Sequence, residues 1–353
     1  MTAADEREPN ETSDPKVSAL RLLAGIVLAL VVLAVMVFFI GRATGFSDLQ
    51  DTLREGDWRW LSICAVGQIV VFGGYSGVVR RSLAFENGPV VPPRLALRVV
   101  LTSFALSQIV AAGGAAGLAV NYWAFRRLGI SRRETVVRLL GLNTVVYLAF
   151  SILAWAAALY AIVSGAAPLG ATVPWLAILP ILWVAAWWFT DARRVQAWAT
   201  PEGGRIRRAL STGVAAAWWA RRAAESREGR PALGWAALYW LGDVASLWGA
   251  VHAFGRGPSI AALALVYVIG YLAAAIPIPF IATGGMDATL TFALQMVGVP
   301  IEHALVAVVA HRVFAFWIPL MPGIVLGFLL RRTRAELDLV RAEREGFLAV
   351  TDG

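Results

Sequence analysis

Four ionisable residues stand inside stretches that are otherwise apolar: Asp243 in "LGWAALYWLGDVASLWGAV", Asp287 in "IPIPFIATGGMDATL", and His311 and Arg312 in "ALVAVVAHRVFAFW". An ionised side chain at bilayer depth costs about 2.5 kcal/mol or more, which makes each a candidate for function. Asp287 and Arg312 are complementary in charge and suited to pairing. Asp287 also fits a plainer role, capping a short helix that follows Gly284 and Gly285, and helix starts in broken spans bind anions. Asp243 suits a hydrogen bond to a neighbouring helix, with Asn143 a candidate partner. His311 is a candidate proton carrier, but it lies about 100° round the helix from Arg312, so one of the two is expected to face away.

The elements that must hold these residues are membrane helices. Of the 353 residues 59% are hydrophobic and the mean hydropathy is +0.67, above the share of a water-soluble domain. Runs of the roughly 20 apolar residues that a bilayer core requires occur at Leu20 to Ile40, Trp60 to Val79, Val136 to Val163, Val173 to Phe189, Leu233 to Phe254 and Leu305 to Leu330. None alternates as a barrel strand would. The expected fold is an all-α polytopic membrane protein. It has about six full transmembrane helices plus two broken or re-entrant helical hairpins in an inverted repeat, about eight hydrophobic segments in all.

Charge sets the expected topology. The net charge of +8 comes almost wholly from arginine, Lys16 being the only lysine. The arginines cluster at 80–98, 126–138, 193–230 and from 331 onward, between spans, which points to cytoplasmic loops and anionic lipid rather than nucleic acid. Within the cytoplasmic basic loop 191–231, "RIRRALSTGVAAAWWARR" (205–222) suits a helix lying on an anionic leaflet. Residues 1–17 read as a disordered cytoplasmic tail, 18–330 as a single transmembrane domain and 331–353 as a second cytoplasmic tail, with both termini inside. Cys64 stands alone, so no disulfide framework or cysteine metal cluster is expected. No cofactor and no metal site is predicted, and phosphate-binding, zinc-protease and nucleophile-elbow motifs are missing.

Two segments cannot be simple crossings under these assignments. The chain leaves the basic side near Leu95 and is back there by Arg126, having passed Gly113 and Gly114. It leaves the opposite side near Ser259 and has returned by Leu305, having passed Gly284 and Gly285. A shift of 298 − 129 = 169 residues superposes the two passages (near 95–163 and 259–330), places Gly129 on Gly298 and sets Asn143 against Arg312. Opposed copies with interrupted helices are a transporter architecture. Gly113, Gly114, Gly284 and Gly285 are the expected helix breaks. Asp287, Arg312, Asp243, Asn143, Tyr147, Asn121 and Arg126 are the candidate substrate-binding residues, Arg126 as a phosphate grip at the membrane edge.

The stretch "PIPFIATGGMDATLTFALQMVGVPIEHALVAVVAHRVFAFWIPLMPG" (277–323), together with "AAGGAAGLAVNYWAFRRLGIS" (111–131), resembles the lysylphosphatidylglycerol synthase transmembrane-region family, the flippase-like integral membrane proteins. The matching positions are Gly284, Gly285, Asp287, Gly298, Pro300, Arg312, Trp317 and Pro319. An acid that many relatives carry in the first stretch is absent here. The resemblance implies a non-enzymatic, flippase-like protein of the bacterial inner membrane. It would move anionic phospholipid, aminoacylated lipid, hopanoid or polyprenyl-linked lipid between leaflets, without the aminoacyl-transferase domain of bifunctional relatives. Alternatives are an intramembrane enzyme or accessory acting on polyprenyl-linked glycolipid, and a non-transporting cell-envelope scaffold.

Overall fold

A computed structural model of the chain describes residues 27, 31, 38, 42, 51, 54–109, 115–166, 169–198, 204–275 and 281–351. In chain order the helices are α1 Leu61–Ala84, α2 Pro93–Ile109, α3 Ala115–Arg127, α4 Arg132–Ser164, α5 Leu169–Phe189, α6 Ala192–Trp198, α7 Arg205–Glu225, α8 Arg230–Ala253, α9 Ile260–Ala275, α10 Ile281–Met296, α11 Ile301–Arg312, α12 Ile318–Phe328 and α13 Leu330–Thr351. A π-helical turn, Val313–Trp317, joins α11 to α12. The described residues are almost entirely helical, as an apolar chain in lipid requires, because a helix satisfies its own backbone polar groups.

Among the described residues, four stretches are long and apolar enough to cross a bilayer: Trp58–Ala84, Arg132–Ser164, Thr172–Phe189 and Ile301–Phe328. They correspond to four of the predicted runs. Leu233 to Phe254 is also helical, as α8, and the run at Leu20 to Ile40 falls mostly outside the described residues. The centre of the bundle is the α1–α8 pair. A β-carbon built on Gly67 would lie 2.6 Å from the carbonyl oxygen of Gly242, and one on Gly74 would lie 2.7 Å from the amide of Tyr239. Small residues thus let the two backbones touch, the usual way helices associate without a hydrophobic drive.

Both predicted hairpins are present as pairs of short packed helices. In the first, Ser103 Oγ on α2 donates to the carbonyl of Gly117 on α3 (2.8 Å), and Asn121 donates back to Ser103 Oγ (3.0 Å). In the second, Gly270 on α9 faces Leu290 on α10. The four limbs contain 17, 13, 16 and 16 residues. At 1.5 Å per residue these described stretches reach about 20 to 25 Å.

The break points need correction. Gly284 and Gly285 are not where the helix stops: α10 starts at Ile281 and runs through them. Asp287 is consequently the seventh residue of that helix and not its cap. Gly113 and Gly114 lie outside the described residues, as do 276–280.

The repeat is exact in its local geometry. Gly129 ends α3 with φ +81° and Gly298 ends α10 with φ +90°, left-handed values that favour glycine. The Gly129 amide bonds the Arg126 carbonyl and the Ile130 amide that of Phe125. One shift later, the Gly298 amide bonds Gln295 and the Val299 amide bonds Leu294. The following helices start at Arg132 and Ile301, again 169 residues apart. These glycine-ended caps are the same motif built twice.

The two hairpins open at opposite ends of the bundle. Beside the N-terminal end of α1, Asp57 donates its amide to Ala253 (2.8 Å), Trp58 meets Phe254, and Gly255 abuts His303, close to where α9 begins and α10 ends. At the C-terminal end of α1, Arg80 donates to the carbonyl of Val91, which leads into α2. There too the buried Arg138 of α4 reaches the carbonyls of Ser82, Leu83 and Phe85 at 2.9 to 3.0 Å, a cation completing a helix C-terminus. The tail helix α13 closes the same end, through Arg98–Glu336 (2.5 Å) and Arg344 on the Asn87 carbonyl (2.9 Å).

The helix at 205–225 departs from expectation. It packs along α4 with Trp219 buried against Gly141 and Phe85, so one face is protein core instead of a leaflet surface. Of its arginines, Arg221 stacks over Trp187 and Arg222 over Trp218, while Arg207 and Arg208 are exposed.

Candidate functional site

Helices α2, α9 and α10 of the two hairpins line one cavity of about 370 Å³ together with α1, α4, α8 and α11. Asp243, Asp287, Asn143, Tyr147 and Arg312 all line it, so five of the seven predicted binding residues are brought together. Asn121 and Arg126 are not among its lining residues. Asn121 is buried inside the first hairpin against Ser103. Arg126 turns its guanidinium onto the Ile130 carbonyl (2.5 Å), tying off the link between α3 and α4.

Two acid–base pairs are strung on one helix. Arg312 holds Asp287 at 3.2 Å, with the carboxylate side chain 8% exposed and the arginine 22%. The guanidinium also lies 5.1 Å from the Phe316 ring, a cation–π distance. One residue earlier, His311 Nε2 is 3.7 Å from Asp243 Oδ1, and His311 Nδ1 is 3.1 Å from Ser246 Oγ. The expectation that one of these neighbours faces away is therefore overturned. Helix α11 is wedged between α8 and α10, so residues about 100° apart each find an acid.

Asp243 is the most heavily bonded of the four. It accepts from Gln68 Nε2 on α1 (2.7 Å) and from the Tyr267 hydroxyl on α9 (2.5 Å). Its expected partner Asn143 instead donates to the carbonyl of Leu139, one turn back on its own helix (2.8 Å). An amide in a helix can always reach that carbonyl, whereas Gln68 and Tyr267 had only to be on the two helices flanking Asp243.

Sequence reasoning missed most of the wall. Five of the seven tyrosines line the cavity: Tyr75, Tyr147, Tyr239, Tyr267 and Tyr271. Tyr271 lies against Trp240 (4.8 Å between ring centroids) and Phe150 (5.3 Å). A signal was available. Asn143 with Tyr147, Tyr239 with Asp243, and Tyr267 with Tyr271 are spaced four apart, which puts both polar groups of each pair on one helix face.

A bundle of membrane helices with short opposed hairpins and a charged cavity where they meet defines a polytopic helical membrane protein of the kind built from inverted repeats. The chain belongs to the lysylphosphatidylglycerol synthase TM region family, whose model matches residues 26–323. No curated protein matches the chain.

Proposed function

We propose that the protein is a flippase-like lipid translocase of the bacterial inner membrane, with both termini cytoplasmic. The carrying observation is that polar groups from the first repeat and charged and polar groups from the second line one cavity, while the hairpins open to opposite ends. A head group entering from either leaflet meets the same site. Arg312 takes an anionic phosphate as Asp287 releases it, a charge-assisted contact, and Asn143 and the tyrosines contact neutral head-group atoms. Acyl chains stay in lipid. The arginines at the Ala84 end of α1 favour that end as cytoplasmic. Anionic phospholipid, aminoacylated lipid, hopanoid and polyprenyl-linked lipid are the fitting cargo classes, carried without chemical change.

The test is exchange of fluorescent phosphatidylglycerol between leaflets of phosphatidylethanolamine–phosphatidylglycerol vesicles, read by dithionite quenching. Wild-type protein equilibrates the label and Arg312→Ala does not, although it still inserts. Vesicles with wild-type protein that exchange label no faster than empty ones would refute the reading. Cysteines placed beside Gly129 and Gly298 should label from opposite sides.

A further inference from the structure

We infer that the His311–Asp243 pair is a proton-binding site that couples lipid movement to a proton gradient. The inference rests on the translocase reading and supplies its energy source. Head-group pair and proton pair occupy consecutive positions, 312 and 311, on one helix, and their acids sit on two different helices, α10 and α8. Any displacement of α11 that changes one pair changes the other.

The geometry at His311 is that of an unclosed contact. Its Nδ1 is within hydrogen-bond distance of Ser246 Oγ at 3.1 Å, but Nε2 stops 3.7 Å from Asp243 Oδ1, beyond a hydrogen bond. A neutral imidazole has one N–H, and a protonated one has two. Proton uptake thus supplies the second donor and an attraction that shortens the gap, drawing α11 toward α8. The π-helical turn starts at Val313, directly after the two pairs. Its looser hydrogen-bond register, a feature that clusters at functional sites, lets α11 shift without dragging α12. With Arg312 pulled along, Asp287 of the second hairpin is released for exchange with a head group.

The groups facing the pair are known on every packed element. Besides Asp243, α8 contributes Tyr239; α1 contributes Cys64, whose thiol donates to the Ser246 carbonyl (3.2 Å), and Tyr75; α9 contributes Tyr267 and Tyr271, α4 Tyr147 and α10 Asp287. Among the described residues that line the cavity, Arg312 is the arginine. His311 itself is 5% exposed and borders the cavity, so the proton arrives from cavity water. No bond beyond the N–H is made or broken. The proton enters from the acidic side and leaves on the other, once per cycle.

The experiment uses the same vesicles with an imposed pH difference and the membrane potential clamped by potassium and valinomycin. One proton per lipid and one pH unit correspond to about a tenfold leaflet ratio of label at steady state. Wild type should approach that ratio. His311→Asn and His311→Gln should settle at equal leaflets under the gradient and exchange label more slowly than wild type without one. If wild type equilibrates label but ignores the gradient, or if both variants respond to it fully, the coupling is wrong and the translocase stands. If wild type exchanges no label, the translocase falls. The proton site is then judged by infrared titration of the purified protein: an acid-induced change should be present in wild type and missing from both Asp243→Asn and His311→Asn. Its persistence in either variant overturns the site.

Discussion

The two hairpins share a frame and differ in what they carry. Each is a pair of short helices ending in a glycine cap of the same geometry, and each contributes side chains to the common cavity. The first is stitched by neutral hydrogen bonds, Ser103 to Gly117 and Asn121 to Ser103. The second holds Asp287 against Arg312, with a leucine, not a hydroxyl, at its inner seam. The two passages share a backbone geometry, which is fixed by caps and close packing. The ionic chemistry is confined to one half, where the long helix of the repeat carries Arg312 at the place Asn143 occupies in the other.

Exchanging charge for neutrality at that place should have the largest effect. Arg312→Asn, which makes the halves alike, leaves Asp287 buried without its cation. It should lower label exchange at least a hundredfold and cost about 3 to 5 kcal/mol of stability, read as a drop in the thermal unfolding midpoint in detergent. The additional change Asp287→Asn should restore most of the stability and none of the exchange.

The seams come next. A β-carbon on Gly117 would sit 1.9 Å from Ser107 Oγ and 2.6 Å from the Ser103 carbonyl, whereas one on Gly270 would meet the Leu290 side chain, its Cδ2 at 2.5 Å and Cγ at 2.7 Å, with no backbone nearer than 3.7 Å. Gly117→Ala should therefore cost about 3 kcal/mol and Gly270→Ala about 1 kcal/mol, within the range for overpacking. Equal midpoints for the two variants would contradict the claim that the first hairpin closes backbone to hydroxyl. The glycine caps should behave as twins: Gly129→Ala and Gly298→Ala should each cost about 1 to 2 kcal/mol. Smallest of all, Asn121→Leu should leave exchange within a few fold of wild type, since the buried Asn121 is away from the cavity and its Oδ1 has no partner among the described residues.

What the sequence made legible follows from the same contrast. Composition and arginine clusters were sufficient for spans and loops because insertion is dominated by apolar length and charge. The 169-residue shift was readable because Gly129 and Gly298 are forced by φ, whereas Gly284 and Gly285 only looked like breaks. Glycine weakens a helix by about 1 kcal/mol, and the packing of α10 on α9 overrides that. Pairing of Asp287 with Arg312 was legible from opposite charge. The partners of Asp243 were not, since Gln68 lies 175 residues away and nothing local marks it.

The contact of α1 with α8 has one more implication. With main chain pressed on main chain at Gly67 and Gly242, this pair has little room at that crossing for side chains to repack into a second arrangement. It is the keel of the molecule. Under the proposed translocase function, whatever rocks has to be the lighter pieces hung on either flank, and the keel's length of about one membrane thickness would keep the two entrances apart throughout.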